Sequence, residues 1–575
     1  MKDEIEQISS ERIDDIPVVV EWLRQMQIVK WIDKKLSQPH GNHQGLSYGQ
    51  LSVLLLTYII TQADHRLCAV EEWVKEHRKI LEMTTGWSIG EKDPSDDRLA
   101  RVVEELGKQE EACREIEVKL GQHLIRAYEL PTEVARADTT SFSVYHRADR
   151  ADPEGILKYG YSKDKRPDLL QYRQSLTTLD PAGMPIVSTT LPGNGADDPL
   201  YWPIWQQMAK VIGHKQFVFI ADCKAAAIAT RAQIAAAGGR YCFPLPMTGQ
   251  NPLWLKQWVL NQHQPSEEIF LPTQKEDEVA VAVGKGFEVE LGKFWLNPDS
   301  KKSVHWHERY LVVYSNSFAA AQIRGQEQRL NRAETALEQL ASNPGADVAQ
   351  LHLKVKAILS RHQVSEFLAV TITEQVLVHT RYVQRGRPSA TSGTKQLTEI
   401  QFQLEFVRLS APIEQAQLLA GWRLYVTNVP LKTLSLSQAV FYYRQEWLVE
   451  HGFHRFKRGH LPALPIYFQN QDRIAGLMFL LSLALRVFTL IEFVVRQALT
   501  QTHQSLPGLY EGNPRRETPR PSTEQLLKAF RHLTLYCFPD LTFFITPLSE
   551  LQRRILSLMN LPASLYQLDL TPCKT

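Results

Sequence analysis

Apolar residues recur along this chain with two different periods, and the points where the period changes divide it. From Val18 to Leu36 the apolar positions Val18, Val19, Trp22, Leu23, Ile28, Val29, Ile32 and Leu36 fall at helical spacing. The run Leu51, Val53, Leu54, Leu55, Tyr58, Ile59, Ile60 predicts a buried helix with Ser47 placed to cap it. Helical patterns follow at 69–77 and 100–124. Residues 1–130 therefore read as an all-helical N-terminal domain, a binding module or a packing module, without a sharp helix-turn-helix signature.

The period shortens to two after Pro131. Val134 to Tyr145 is β-rich, Tyr172 to Leu179 alternates, Asp180-Pro181-Ala182-Gly183 makes a turn, and Met184 to Leu191 alternates again, which predicts a hairpin. A helix is expected over 199–212. The continuous run Gln216-Phe217-Val218-Phe219-Ile220-Ala221 reads as a strand buried on both faces. An alanine-rich helix over 225–237 ends at Gly238 and Gly239, and Tyr241 to Leu245 is another strand. The order β-β-β-α-β-α-β predicts a ribonuclease-H-like α/β fold, a mixed sheet with helices on both faces, whose first part occupies 131–245.

Residues 246–435 interrupt that pattern and read as a large β-rich and helical insertion. Strands are expected at Val279 to Val283 and Tyr310 to Tyr314. A solvent-exposed helical hairpin spans 319–340 and 348–358, turning at Asn343-Pro344-Gly345. A basic loop carries Arg381, Arg385 and Arg387 ahead of Ser389 to Thr394. The strand Trp422 to Thr427 leads back to residues 436–500, which hold the second part of the core. Residues 501–575 read as a C-terminal helical region suited to dimerisation, with a Pro/Arg-rich linker at 507–521 carrying Arg515, Arg516 and Arg520, and short helices at 523–533 and 549–559.

Composition narrows the function classes. The 575 residues are 43% hydrophobic, enough for a sizeable core and more than one domain. With 65 basic and 63 acidic residues the formal charge is only +2, so a polyanionic partner would have to be met by local basic patches. The six cysteines form no C-x-x-C pair, which argues against a zinc ribbon or disulfide scaffold and fits a reducing cytoplasm. Met1-Lys2-Asp3-Glu4-Ile5-Glu6 is too acidic for a secretion signal. The apolar run Ile474 to Leu485 is only 12 residues, short of the roughly 18–20 that span a bilayer, and reads as a core helix.

Three carboxylates stand where chemistry can gather. Asp138, within Arg136-Ala137-Asp138-Thr139-Thr140, lies on the first strand, and Asp222 ends the buried fourth strand, where open sheets collect functional groups. The segment Tyr443 to Lys457 predicts a helix in which Tyr443, Glu446, Glu450 and Lys457 share one face. Gly452 weakens that helix by about 1 kcal/mol relative to Ala. Carboxylates held together repel unless a cation neutralises them, and Mg²⁺ prefers such hard oxygen ligands.

The spacing Tyr443-x-x-Glu446-x-x-x-Glu450-x-x-x-x-x-x-Lys457 resembles the Y-(2)-R-(3)-E-(6)-K signature of bacterial insertion-sequence DDE transposases, the insertion-sequence-four superfamily. The run Tyr159 to Asp168, with Tyr161-Ser162-Lys163, resembles the block after the first aspartate in that family. The resemblance implies Asp138, Asp222 and Glu450 as catalytic metal ligands for two Mg²⁺ ions, with Mn²⁺ substituting. It implies DNA contacts from Tyr443 and Lys457, with Arg444 or Arg455 standing in for the signature arginine and Lys163 contributing from the block after the first aspartate. Beside it, His454, Arg455, Lys457, Arg458 and His460, interleaved with Phe453 and Phe456, read as a basic patch for phosphate contact. The resemblance implies double-stranded DNA as partner, both terminal inverted repeats and target, bound by a homodimer with no membrane involved, in the cytoplasm at the nucleoid. It also implies an insertion ahead of the catalytic glutamate, and 228 positions separate Asp222 from Glu450 (450 − 222). One position departs: Glu446 stands where the signature has arginine.

Other readings remain open. Asp222 could simply cap a helix, and Glu446 is the rival third ligand one turn from Glu450. A metal-dependent nuclease on the same fold, or a DNA-binding descendant without catalysis, fits the same pattern. His305-Trp306-His307-Glu308 reads as a surface strand, and Trp422 as a core tryptophan.

Overall fold

The computed structural model describes residues 9–36, 44–147, 154–262, 265–272, 281–345, 347–383, 394–538 and 542–567. The start of the strand expected at Val279 and the basic residues Arg385 and Arg387 lie outside them.

A nine-stranded mixed sheet forms the centre, flanked by helices. Its strands are β1 (Val134–Val144), β2 (Leu170–Leu179), β3 (Met184–Pro192), β4 (Val218–Ile220), β5 (Arg240–Pro244), β6 (Glu267–Phe270), β7 (Ala282–Leu296), β8 (Ser303–Ser315) and β9 (Trp422–Thr427), in spatial order β3-β2-β1-β4-β5-β9-β8-β7-β6. β1, β2 and β3 are antiparallel neighbours, and β1 then pairs in parallel with β4, and β4 with β5. That is the ribonuclease-H-like order the sequence predicts. The crossover from β3 to β4 runs through α1 (Tyr201–Ile212), which buries Tyr201, Ile204, Trp205 and Met208 and ends at Gly213 with φ +86°. Every residue of β2 is buried, as expected of a strand covered on both faces. α2 (Ile228–Ala236) joins β4 to β5.

The sheet does not stop at β5. β9 pairs with both β5 and β8, so the strands of the interrupting segment extend the same sheet. What stands apart is a helical hairpin, Asn316–Ser342 with Val348–His362, packed on a two-stranded ribbon, Leu368–Tyr382 with Thr394–Arg408. Arg381 thus sits on a strand of that ribbon rather than in a loop. The surface reading of His305-Trp306-His307-Glu308 holds for the two histidines but not for Glu308. Its carboxylate is buried and accepts bonds from Arg231, Tyr241 (2.5 Å), Trp306 (3.0 Å) and Tyr310 (3.1 Å).

The expected helix over Tyr443 to Lys457 is two helices, α3 (Leu436–Arg444) and α4 (Trp447–Lys457). Between them the amides of Gln445 and Glu446 bond three residues back, to Tyr442 and Tyr443, instead of four. The tightened turn rotates α4 relative to α3. α4 lies on β1 and β2. α5 (Gln471–Gln501) is long and apolar enough to cross a membrane, but 94% of its most apolar window is buried within the protein. The N-terminal helices pack against it so closely that a Cβ on Gly107 would fall 1.8 Å from the Asp472 carbonyl oxygen, and one on Gly476 1.8 Å from that of Val103. Arg486 of α5 donates at 2.7 Å to Glu117, both buried. Among its described residues the N-terminal region is helical apart from one strand, Ser9–Arg12, which pairs with Thr534–Cys537 near the other end of the chain.

Candidate active site

Asp138 sits mid-strand on β1, and Asp222 lies two residues past the end of β4, the strand beside it. The parallel register pairs Arg136 with Ile220, so the two aspartates come off neighbouring strands at the same level. They line one pocket together with Arg136, Tyr443, Glu446 and Val449. Glu450, in the first turn of α4, is exposed and lies beside this pocket rather than on its wall.

Each aspartate has a defined environment. Asp138 accepts the Thr139 amide at 2.7 Å and faces the Lys163 ammonium at 3.8 Å. Burial holds its carboxyl above the usual aspartate range. Lys163 and the Thr139 amide oppose that, while Asp222 and Glu450 add to it. Lys163 also donates to the Thr139 carbonyl, so it is anchored at β1. Asp222 accepts from the Tyr201 hydroxyl at 2.5 Å and from the Lys224 amide at 3.0 Å. It does cap the short turn Cys223–Ala226, and it faces the pocket as well. Glu446 is pushed up by burial, then by Asp138 and Glu450, with Arg136 pulling the other way.

Two residues escape sequence reasoning. Tyr201 fixes Asp222 through a contact that only the tertiary fold creates. Arg136, two positions before Asp138 and hence on the same face of β1, is buried at 2% exposure, pairs with Asp180 (Nε at 3.1 Å) and donates to the Tyr442 carbonyl at 2.7 Å. Strand alternation was the available signal.

The remaining predicted contacts divide. Tyr443 lines the pocket and rests edge-on against Tyr425 at 5.0 Å. Lys457 reaches Asp164 at 3.1 Å and lies over the Phe142 ring. Arg444 and Arg458 are exposed. Arg455 does not face outward with the basic patch. It is buried at 2% exposure and ion-paired to Glu492 and Glu524 (Nε at 2.9 Å). A free guanidinium there would be costly, so its charge is already spent inside the fold.

The donor chemistry fits a hard divalent cation: carboxylate oxygens from two strands and one helix, with no sulfur or imidazole. As the side chains stand, no group of three His, Cys, Asp or Glu residues among those described is drawn together closely enough to hold an ion. Burial first, and the neighbouring carboxylates after it, raise the carboxyls of Asp138 and Glu446, a cost that a bound cation would offset.

Fold and pocket together define a mixed-sheet α/β protein with an acidic site where one strand ends beside the middle of its parallel neighbour. The chain belongs to the transposase DDE-domain family, whose model matches residues 131–486, more than half of its length and the whole of the sheet described above. Among solved structures, a piggyBac transposase in a synaptic complex with hairpin DNA is similar at 13% identity and a TM-score of 0.23, over 51% of this chain and 60% of that one. The chain thus spans about three fifths of that structure's length. No curated protein matches the sequence.

Proposed function

We propose that this protein is a DNA transposase of an insertion sequence, of the subgroup carrying the Tyr443–Glu450–Lys457 spacing. It acts at the ends of its element and joins them to target DNA. The observation that carries the reading is the placement of Asp138 on one strand and Asp222 just past the end of its parallel neighbour, in one pocket with residues of α4, within a chain of the DDE-domain family.

Asp138, Asp222 and Glu450 are the residues that would hold divalent cations, with Glu446 the alternative third carboxylate. Two Mg²⁺ ions in such a site supply charge stabilisation to the attacking and leaving oxygens of an in-line displacement at phosphorus. The chain's own part is to position. Tyr201 orients Asp222, and Lys163 opposes the upward push of burial on the Asp138 carboxyl. Lys457, Arg444 and Arg458 offer positive charge to the DNA backbone beside the pocket, with Lys457 exchanging Asp164 for a phosphate. Double-stranded DNA, met as a homodimer at the nucleoid, completes the proposal.

Strand transfer separates this function from that of a nuclease on the same fold. Incubated with pre-cut element ends and a supercoiled plasmid in Mg²⁺, the protein joins the 3′ ends to the plasmid. Cutting without any joined product would assign it as a nuclease.

A further inference from the structure

A second pocket, of about 230 Å³, opens on the neighbouring face of α4, between that helix and α5. Trp447 and His451 line it from α4, each one residue beyond Glu446 and Glu450 and so about 100° round the helix. Arg455 joins them from α4, the opposite wall carries Glu492 and Arg496 of α5, and Arg520 comes in from the loop ahead of the helix Thr523–Lys528. The turn between β2 and β3 closes one side. Its lining begins at Pro181, next to the Asp180 that holds Arg136 of the carboxylate pocket, and Leu448 here adjoins Val449 there, so the two pockets are neighbours along the chain.

The charges in the second pocket do not balance. Glu492 pairs with both Arg455 and Arg496 (3.2 Å), and Glu524 pairs with Arg455. Two carboxylates thus serve three guanidinium groups. Arg520 makes no ion pair among the described residues, and it is exposed. Burial pulls the Arg496 guanidinium below its ordinary range; Glu492 opposes that, and Arg520 and Arg455 add to it. Arg496 also donates to the Pro521 carbonyl at 3.1 Å, which fixes the Arg520 loop against α5.

We infer that this pocket binds a backbone phosphate of the DNA strand that passes the carboxylate site, held by Arg496 and Arg520 with the exposed Trp447 ring as its apolar wall. Guanidinium groups grip phosphate oxygens through paired N–H donors. A helix with its side chains is about 10–12 Å across, so a strand leaving the carboxylates around α4 meets the pocket within a few nucleotides. This inference rests on the proposed DNA function, and its site is separate from the residues assigned there.

The test is the salt dependence of binding to a duplex carrying the element's end, measured by fluorescence anisotropy in EDTA so that no cutting occurs. Each phosphate neutralised contributes about 0.9 to the slope of log K against log salt. Arg520→Gln should weaken binding several-fold, lower that slope by about 0.9 and leave the Tm unchanged. Arg496→Gln/Arg520→Gln, which strips both guanidinium groups from the same phosphate, should weaken binding further while the loss of slope stays at about 0.9. Wild-type binding with the same slope in both variants overturns the pocket and leaves the transposase reading standing. Absence of DNA binding by the wild type overturns both.

Discussion

Arg136 and Asp180 form the buried pair whose loss should be felt both in stability and at the site. Arg136 is 2% exposed and Asp180 8%. Substituting Asp180→Ala leaves the guanidinium with the Tyr442 carbonyl as its hydrogen-bond partner and no paired carboxylate. Breaking one half of a buried ion pair costs about 3–5 kcal/mol, because the other charge stays buried. Replacing both halves with apolar side chains of similar volume is often close to neutral. Arg136→Met/Asp180→Leu should therefore recover most of the loss. In a cooperative unit of 150–250 residues, 1 kcal/mol shifts the Tm by about 2–4 °C, so Asp180→Ala should melt at least about 6 °C below wild type by differential scanning fluorimetry, and the double variant within a few degrees of it. Because Arg136 lines the carboxylate pocket, the double variant should fold yet cut element ends poorly. A single variant as stable as wild type, or a double variant no better than the single, would refute the reasoning.

Lys163→Met removes the first of the groups that hold Asp138 down, so the pH at half-maximal Mg²⁺-dependent cleavage should move upward. Asp138 has its pKa raised on folding, so it favours the fold below its unfolded value of about 3.9, and that contribution is lost as pH rises through the folded value. In Lys163→Met the loss should extend to higher pH, as read from the Tm between pH 4 and 7. Tyr201→Phe deletes the hydroxyl that orients Asp222, and cleavage should fall roughly 10–100-fold while DNA binding is unchanged. Gly107→Ala drives a methyl into the Asp472 carbonyl, and should destabilise by at least about 1–3 kcal/mol, visible as a lowered Tm.

Much of the core was legible because local chemistry and global fold agree there. The Asp180 to Gly183 turn, the apolar run into Asp222 and the glycines after α2 each point to the element observed. The misreadings arise from contacts distant in sequence. Arg455 belongs to a basic run, but its partners Glu492 and Glu524 lie 37 and 69 residues further on. Gly452 counts against a helix by propensity, yet it sits inside α4, where a Cβ would fall 2.7 Å from a Leu176 methyl. It is there so that the helix can lie close on β2. The break between α3 and α4 has no proline or glycine to announce it. Nor could period alone show that β7, β8 and β9 extend the main sheet, since hairpin strands of an inserted domain carry the same alternation.

Cleavage of a duplex bearing the element's own ends, in Mg²⁺, by wild type and by Asp138→Ala, Asp222→Ala, Glu450→Ala and Glu446→Ala, bears most directly on the central claim. The account predicts that wild type cuts, and that Asp138→Ala, Asp222→Ala and Glu450→Ala bind the same duplex without cutting it, while Glu446→Ala keeps measurable activity. Undiminished cutting by Asp138→Ala or Asp222→Ala, or a wild type that binds the ends in Mg²⁺ and Mn²⁺ and never cuts, would contradict it.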